Sequence, residues 1–254
     1  MSGHSHFKTI KAQKELADAK KGKVFSKFGR LITIAVKEKG GDPVTNAKLK
    51  MTIEQAKSFN MPKENIERAI KKGTGELAGE ILEEVSFEGF GPGGIAMIIE
   101  GITDNKNRTL GEIKVALNQN NGKLAGEGAV RWMFDRKGAI IINPKSHLTP
   151  AGGFPAGFIP NPKNDELEMV AIESGAEDVK WFEDKLEIYT KPEDLEKVKK
   201  ALEDKGLKIE SASLDFVAKE EVKVSEKEKE QAQKLFEALD ENDSVNDIYS
   251  NLKN

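Results

Sequence analysis

From Lys20 to Lys39 the chain contains no proline, and its apolar residues recur at helical spacing. At 100° per residue counted from Lys20, the side chains of Val24, Phe28, Leu31, Ile32 and Ala35 fall in an arc of roughly 20–120°. Lys20, Lys23, Lys27, Arg30 and Lys37 fall at roughly 260–360°, so an apolar and a basic face separate, with Ile34 and Lys21 the main exceptions. Gly40-Gly41 supplies a helix stop. A second helix is expected over Lys48–Phe59, turning Leu49, Ile53 and Ala56 inward. A third opens at Met61-Pro62, where proline suits the first turn, and closes at Gly73. Its Ile66, Ala69 and Ile70 form one face, and Lys63, Arg68, Lys71 and Lys72 stand away from it. The three segments predict a small helical domain.

The pattern changes at the glycine-rich stretch 73–79. Val85 and Phe87 at period 2 mark a strand over residues 82–90, and the apolar run Ile95–Ile102 marks a buried one. Gly89-Phe90-Gly91-Pro92-Gly93-Gly94 between them is a tight connection between strands. It lacks the Gly-Lys-Ser/Thr entry into a helix that a phosphate loop needs. Asn107 is placed to cap a helix through Asn118. Ala129–Phe134 and Ala139–Ile142 then read as two strands around Arg136-Lys137-Gly138, with Trp132 expected in the core. Residues 143–164 form a loop dense in proline and glycine. Beyond it come a helix around Glu166–Glu173, strands at Val179–Phe182 (which would bury Trp181) and Leu186–Thr190, a helix over Glu193–Lys205, and a strand over Ile209–Val217. Ser225 and Glu228 make a capping box for a helix through Leu239. Mixed alternation of short elements predicts α+β sandwiches over a doubly wound nucleotide-binding sheet.

Charge adds what periodicity cannot. The 254 residues carry a net charge of −3, but residues 1–76 hold 17 Lys/Arg against 8 Asp/Glu, a net of +9, and the rest a net of −12. A basic end on an acidic body suggests polyanion binding at that end. The candidate contacts are Lys8, Lys11, Lys14, Lys20, Lys21, Lys23, Lys27, Arg30, Lys63, Arg68, Lys71 and Lys72. Phosphate contact tolerates loose lysine spacing, whereas reading base edges favours arginine, asparagine or glutamine. This segment sets 15 lysines beside Arg30 and Arg68 alone, which favours phosphate contact. Residues 1–20 are expected to be mobile until a polyanion is present. Phe7 is the best candidate there for base stacking, whereas Phe28 and Phe59 belong to the core.

Other chemistry finds little support. Cysteine is absent, which removes disulfides and thiolate metal sites and fits a reducing compartment, the cytoplasm by default. His4 and His6 make a poor metal site, and His147 stands alone, so no metal or cofactor is expected. No apolar run is long enough to span a membrane and no secretory signal opens the chain. No nucleophile stands with a base, and acids such as Glu83-Glu84 and Glu220-Glu221 sit in polar contexts, so neither an enzyme nor a small-molecule substrate is expected.

Several segments together resemble the YebC/PmpR family: Met1-Ser2-Gly3-His4-Ser5, Lys39-Gly40-Gly41-Asp42-Pro43, the run Asn60–Gly73, Phe87–Gly94, Thr103–Thr109 and Val130-Arg131-Trp132-Met133-Phe134. The resemblance runs along essentially the whole chain, although the stretch 143–164 is longer than the family usually carries. It implies an α+β protein with an N-terminal three-helix domain followed by two small α/β sandwich domains, one inserted in the other. The corresponding boundaries are 1–78, then 79–137 with 209–254, then 138–208 inserted. It also implies a DNA-binding transcriptional regulator. The alternative, equally compatible with the charge map, is a ribosome-associated translation factor that uses the same basic face on rRNA or tRNA.

Overall fold

The structure is a computed structural model that describes residues 18–144, 164–182 and 184–253. It is an α+β fold in which the chain divides into two compact units, residues 1–134 with 218–254, and residues 135–217.

The first unit opens with three helices: α1 (Asp18–Lys39), α2 (Ala47–Ser58) and α3 (Lys63–Thr74). Val24, Phe28, Ile32, Ala35 and Val36 of α1 form a core with Leu49, Ala56, Met61, Ile66 and Ala69. Phe28 and Phe59 meet with ring centroids 5.3 Å apart, Phe28 fully buried in the core and Phe59 half-buried against it. The buried side chain of Asn46 caps α2 by accepting from the Leu49 N–H, and its amide donates to the Ala35 and Gly40 carbonyls. One side chain thus closes the α1–α2 turn and starts the next helix.

Strands β1 (Glu83–Phe90) and β2 (Ala96–Thr103) form an antiparallel pair across the glycine-rich turn. Helix α4 (Lys106–Gln119) follows, then the short β3 (Lys123–Leu124). Asn105, not Asn107, caps α4, accepting from the Arg108 N–H. Helix α7 (Glu226–Asp240) and strand β8 (Val245–Ser250) come from the C-terminal part, and the sheet order is β3-β1-β2-β8. Helices α4 and α7 cover one face, where Ile113, Leu117, Leu235 and Leu239 pack on Val85, Phe87, Met97 and Ile99. The Ser225–Glu228 capping box at the start of α7 is present.

The second unit contains a sheet of order β5-β6-β4-β7, built from β4 (Phe134–Ile142), β5 (Asp178–Phe182), β6 (Lys185–Thr190) and β7 (Ile209–Ala218). Helices α5 (Asn164–Glu173) and α6 (Leu195–Asp204) belong to it. Three expectations change here. Residues 134–142 are one continuous strand rather than two, and the Arg131–Met133 segment before it is a 3-10 turn. Strand β7, expected with the first sheet, pairs in the second. Trp132, expected in the core, is 66% exposed. Trp181 lies half-buried on the edge strand β5, its indole N–H donating to Glu168.

Candidate nucleic-acid interface

The basic face of α1 meets protein. Lys27 is 3% exposed, and its ammonium donates to the Asp240 carboxylate and to the Asp240 carbonyl, both at 2.8 Å. Lys23 donates to the Glu241 carboxylate and, at 3.2 Å, to its carbonyl. Its hydrogen bond to Glu241 raises the Lys23 ammonium above the usual lysine range. Arg30 donates to the carbonyls of Asp243 (3.0 Å) and Ile102 (3.2 Å) and to the Ser244 hydroxyl. Most of these acceptors lie at the C-terminal end of α7 and in the turn after it. A helix C-terminus presents unpaired carbonyls and the negative end of the helix dipole, and cations satisfy both. The expected face is therefore largely an internal joint. Ile34 is the signal for this in the sequence. It falls at roughly 320° on the wheel, among the cations, and it is buried.

Lys48 makes a second joint, donating to Glu38 at 2.9 Å and to Glu84 of β1 at 2.8 Å. Burial pulls the Lys48 ammonium down, but these two carboxylates outweigh it and leave it above the usual lysine range.

Helix α3 is arranged differently. Ile66 and Ala69 are buried, and Lys63, Arg68, Lys71 and Lys72 are exposed. Lys63 pairs with Glu67 at 3.5 Å, one turn on. For Arg68, Lys71 and Lys72 no ion pair occurs among the described residues. The Thr33 hydroxyl donates to the Ala69 carbonyl, and a Cβ on Gly73 would lie 2.6 Å from the Val36 Cβ. Thr33 meets Ala69 and Val36 meets Gly73, so α1 and α3 run parallel at their C-terminal ends. That crossing gathers the exposed Lys37 and Lys39 of α1 at the same end of the bundle as Lys71 and Lys72. Neither Lys37 nor Lys39 is among the candidate contacts, because nothing in the sequence shows which helix ends meet.

Lys8, Lys11 and Lys14 lie outside the described residues, as do the Lys20 side chain, Phe7, His4, His6, His147 and residues 145–163 of the long loop. Lys21 is exposed. Among the described residues no group of three or more His, Asp or Glu side chains is placed to hold a metal ion, and no helix is long and apolar enough to cross a membrane.

Two family models match the chain. Residues 5–76 match the TACO1/YebC protein N-terminal domain, and residues 82–252 match the TACO1/YebC second and third domain. The chain belongs to the TACO1/YebC family. A TACO1/YebC relative from Caldanaerobacter subterraneus, named a probable transcriptional regulatory protein, is 46% identical over 253 residues, covering 100% of this chain and 98% of its own. One of the same name from Thermotoga petrophila is 44% identical, covering 100% of this chain and 94% of its own. The crystal structure of a conserved hypothetical protein from Aquifex aeolicus is similar at a TM-score of 0.82 and 41% identity, covering 93% of this chain and 91% of that one.

The segments that carry the TACO1/YebC resemblance hold one further arrangement that sequence reasoning missed. Glu88 of β1 is 4% exposed, and its carboxylate accepts from the backbone N–H groups of Gly128 (2.7 Å), Val130 (2.7 Å) and Arg131 (3.0 Å). Burial pushes the Glu88 carboxyl up, but the three donors outweigh it and hold it below the usual carboxylate range. Gly128 has φ +79°, the left-handed conformation that glycine adopts without strain, where its N–H reaches Glu88. Glu88 therefore fixes a turn 40 to 43 residues away in sequence, which no local pattern signals.

Proposed function

We propose that this protein is a non-catalytic regulator of gene expression that binds nucleic acid through its phosphates, with DNA as the leading target. The contacting surface is the exposed basic side of α3 (Lys63, Arg68, Lys71 and Lys72), extended by Lys37 and Lys39 and by the lysines of residues 1–21. One observation carries this reading. After Lys23, Lys27 and Arg30 are taken up at α7, the bundle still presents Arg68, Lys71 and Lys72 to solvent without acidic partners among the described residues. Cations so placed release condensed counterions when they meet phosphate, which drives binding. DNA comes first because relatives identical at 44–46% are named probable transcriptional regulatory proteins.

One observation favours RNA as a second reading. With Arg30 held by carbonyls, Arg68 is the remaining arginine of residues 1–76, so bidentate reading of guanine has little support. The test is crosslinking in cells followed by sequencing of bound DNA and bound RNA. Discrete DNA peaks that vanish when Lys63, Arg68, Lys71 and Lys72 are changed together to Ala support the leading reading. Enrichment of rRNA or tRNA without DNA peaks overturns it in favour of the second. Recovery of neither overturns both.

A further inference from the structure

Trp132 is 66% exposed, yet its turn is held firmly from beneath. Glu88 clamps three N–H groups of residues 128–131, the Met133 N–H donates to the Val130 carbonyl at 2.9 Å, and the Lys219 N–H donates to the Met133 carbonyl at 3.0 Å. The indole N–H is itself engaged, donating to the Ala129 carbonyl at 3.0 Å. The ring is thus oriented, its single donor is occupied, and what remains for a partner is its π faces.

We propose that Trp132 is a stacking platform for an unpaired nucleobase, a reading that rests on nucleic-acid binding by this protein. An aromatic face accepts any base, since every base has a π face, whereas a base inside a duplex has both of its faces covered. The surroundings disfavour a protein partner. Among the described residues none of the other large exposed apolar side chains lies in 125–133, and the exposed neighbours Gly126, Glu127, Gly128, Ala129 and Arg131 are small or charged. A protein interface would centre on a contiguous apolar patch, which one ring does not make. Phosphate contact is left to the lysines of α3 and α1, which are independent of this turn.

The full chain is titrated with a labelled single-stranded oligonucleotide, as RNA and as DNA, and with a blunt duplex. Anisotropy reports binding, and intrinsic fluorescence reports stacking. Trp132 and Trp181 are the chain's two tryptophans, so Trp132→Phe assigns the signal. The expected result is quenching by single strands that is lost in Trp132→Phe, with single-strand affinity about tenfold weaker in Trp132→Ala. Quenching by either single strand supports the proposal, and the arm that quenches names the source of the base. Binding without Trp132 quenching, and at unchanged affinity in Trp132→Ala, overturns the platform and leaves phosphate binding standing. Equal quenching by the blunt duplex overturns recognition of an unpaired base. No binding in any arm overturns the nucleic-acid reading itself, and a Trp132 role in protein contact then takes its place.

Discussion

Helices α1 and α3 carry basic side chains at similar helical spacing in one small bundle, and what lies opposite each row separates them. The α1 row faces the end of α7 and the turn after it, where Asp240 and Glu241 take up Lys27 and Lys23 and the Asp243 carbonyl accepts from Arg30. The α3 row faces solvent, with Glu67 paired to Lys63. A basic stripe on a helix is therefore not a binding site until its surroundings are known. The acidic remainder of the chain, at a net of −12, also supplies the carboxylates that pair with Lys23 and Lys27.

The comparison can be strained at its strongest point first. Lys27→Ala leaves the Asp240 carboxylate without its buried partner, and breaking such a pair costs about 3 kcal/mol. In a unit of this size that lowers the melting temperature by roughly 6–12 °C, as calorimetry would read. A change within error would mean that Lys27 is not a joint. Gly73→Ala comes next. A helix interior normally gains from this change, by about 1 kcal/mol, but here the new Cβ would meet Val36 and the Thr33 carbonyl. The overpacked crossing is expected to lose about 2 kcal/mol in denaturant unfolding. A stabilised variant would contradict the close approach of α1 and α3. Arg30→Lys keeps the charge but cannot span two carbonyls and a hydroxyl, and should lose about 1 kcal/mol by the same measurement. Lys23→Ala, on a half-exposed pair, should cost less than about 1 kcal/mol. The ammoniums of Lys23 and Lys48 titrate higher folded than unfolded. Their contribution is therefore complete below about pH 10 and lost as pH rises through the raised folded values. The stability of Lys23→Ala should accordingly converge on that of the parent in strong alkali.

Much of this arrangement is legible in the sequence. Gly40-Gly41, Pro62 and the Ser225–Glu228 pair mark helix ends because capping chemistry is local, and the observed bounds fall within two residues. The apolar wheel of α1 places Val24, Phe28, Ile32 and Ala35 in the core for the same reason, while Leu31 packs half-buried against it and Val36, outside the arc, joins it. Strand β8 is not legible, since Val245-Asn246-Asp247-Ile248-Tyr249-Ser250 contains residues that strands disfavour, and pairing with β2 makes it a strand. The Trp132 turn is hidden because a carboxylate on β1 creates it. The joint is hidden because its two sides lie more than two hundred residues apart, with Ile34 as the one local trace. Periodicity reports that a face exists, and only the fold reports what covers it.

The central claim is that the basic row of α3, not the Lys23–Lys27–Arg30 row of α1, meets phosphate, and the salt dependence of binding to a duplex tests it most directly. Each lost phosphate contact reduces the slope of log affinity against log salt concentration by about 0.9. The variant with Lys63, Arg68, Lys71 and Lys72 changed to Ala should flatten the slope by roughly 3–4, while Lys27→Met, which keeps the buried volume, should leave it unchanged. An unchanged slope in the α3 variant, or a flattened one in Lys27→Met, would contradict the account.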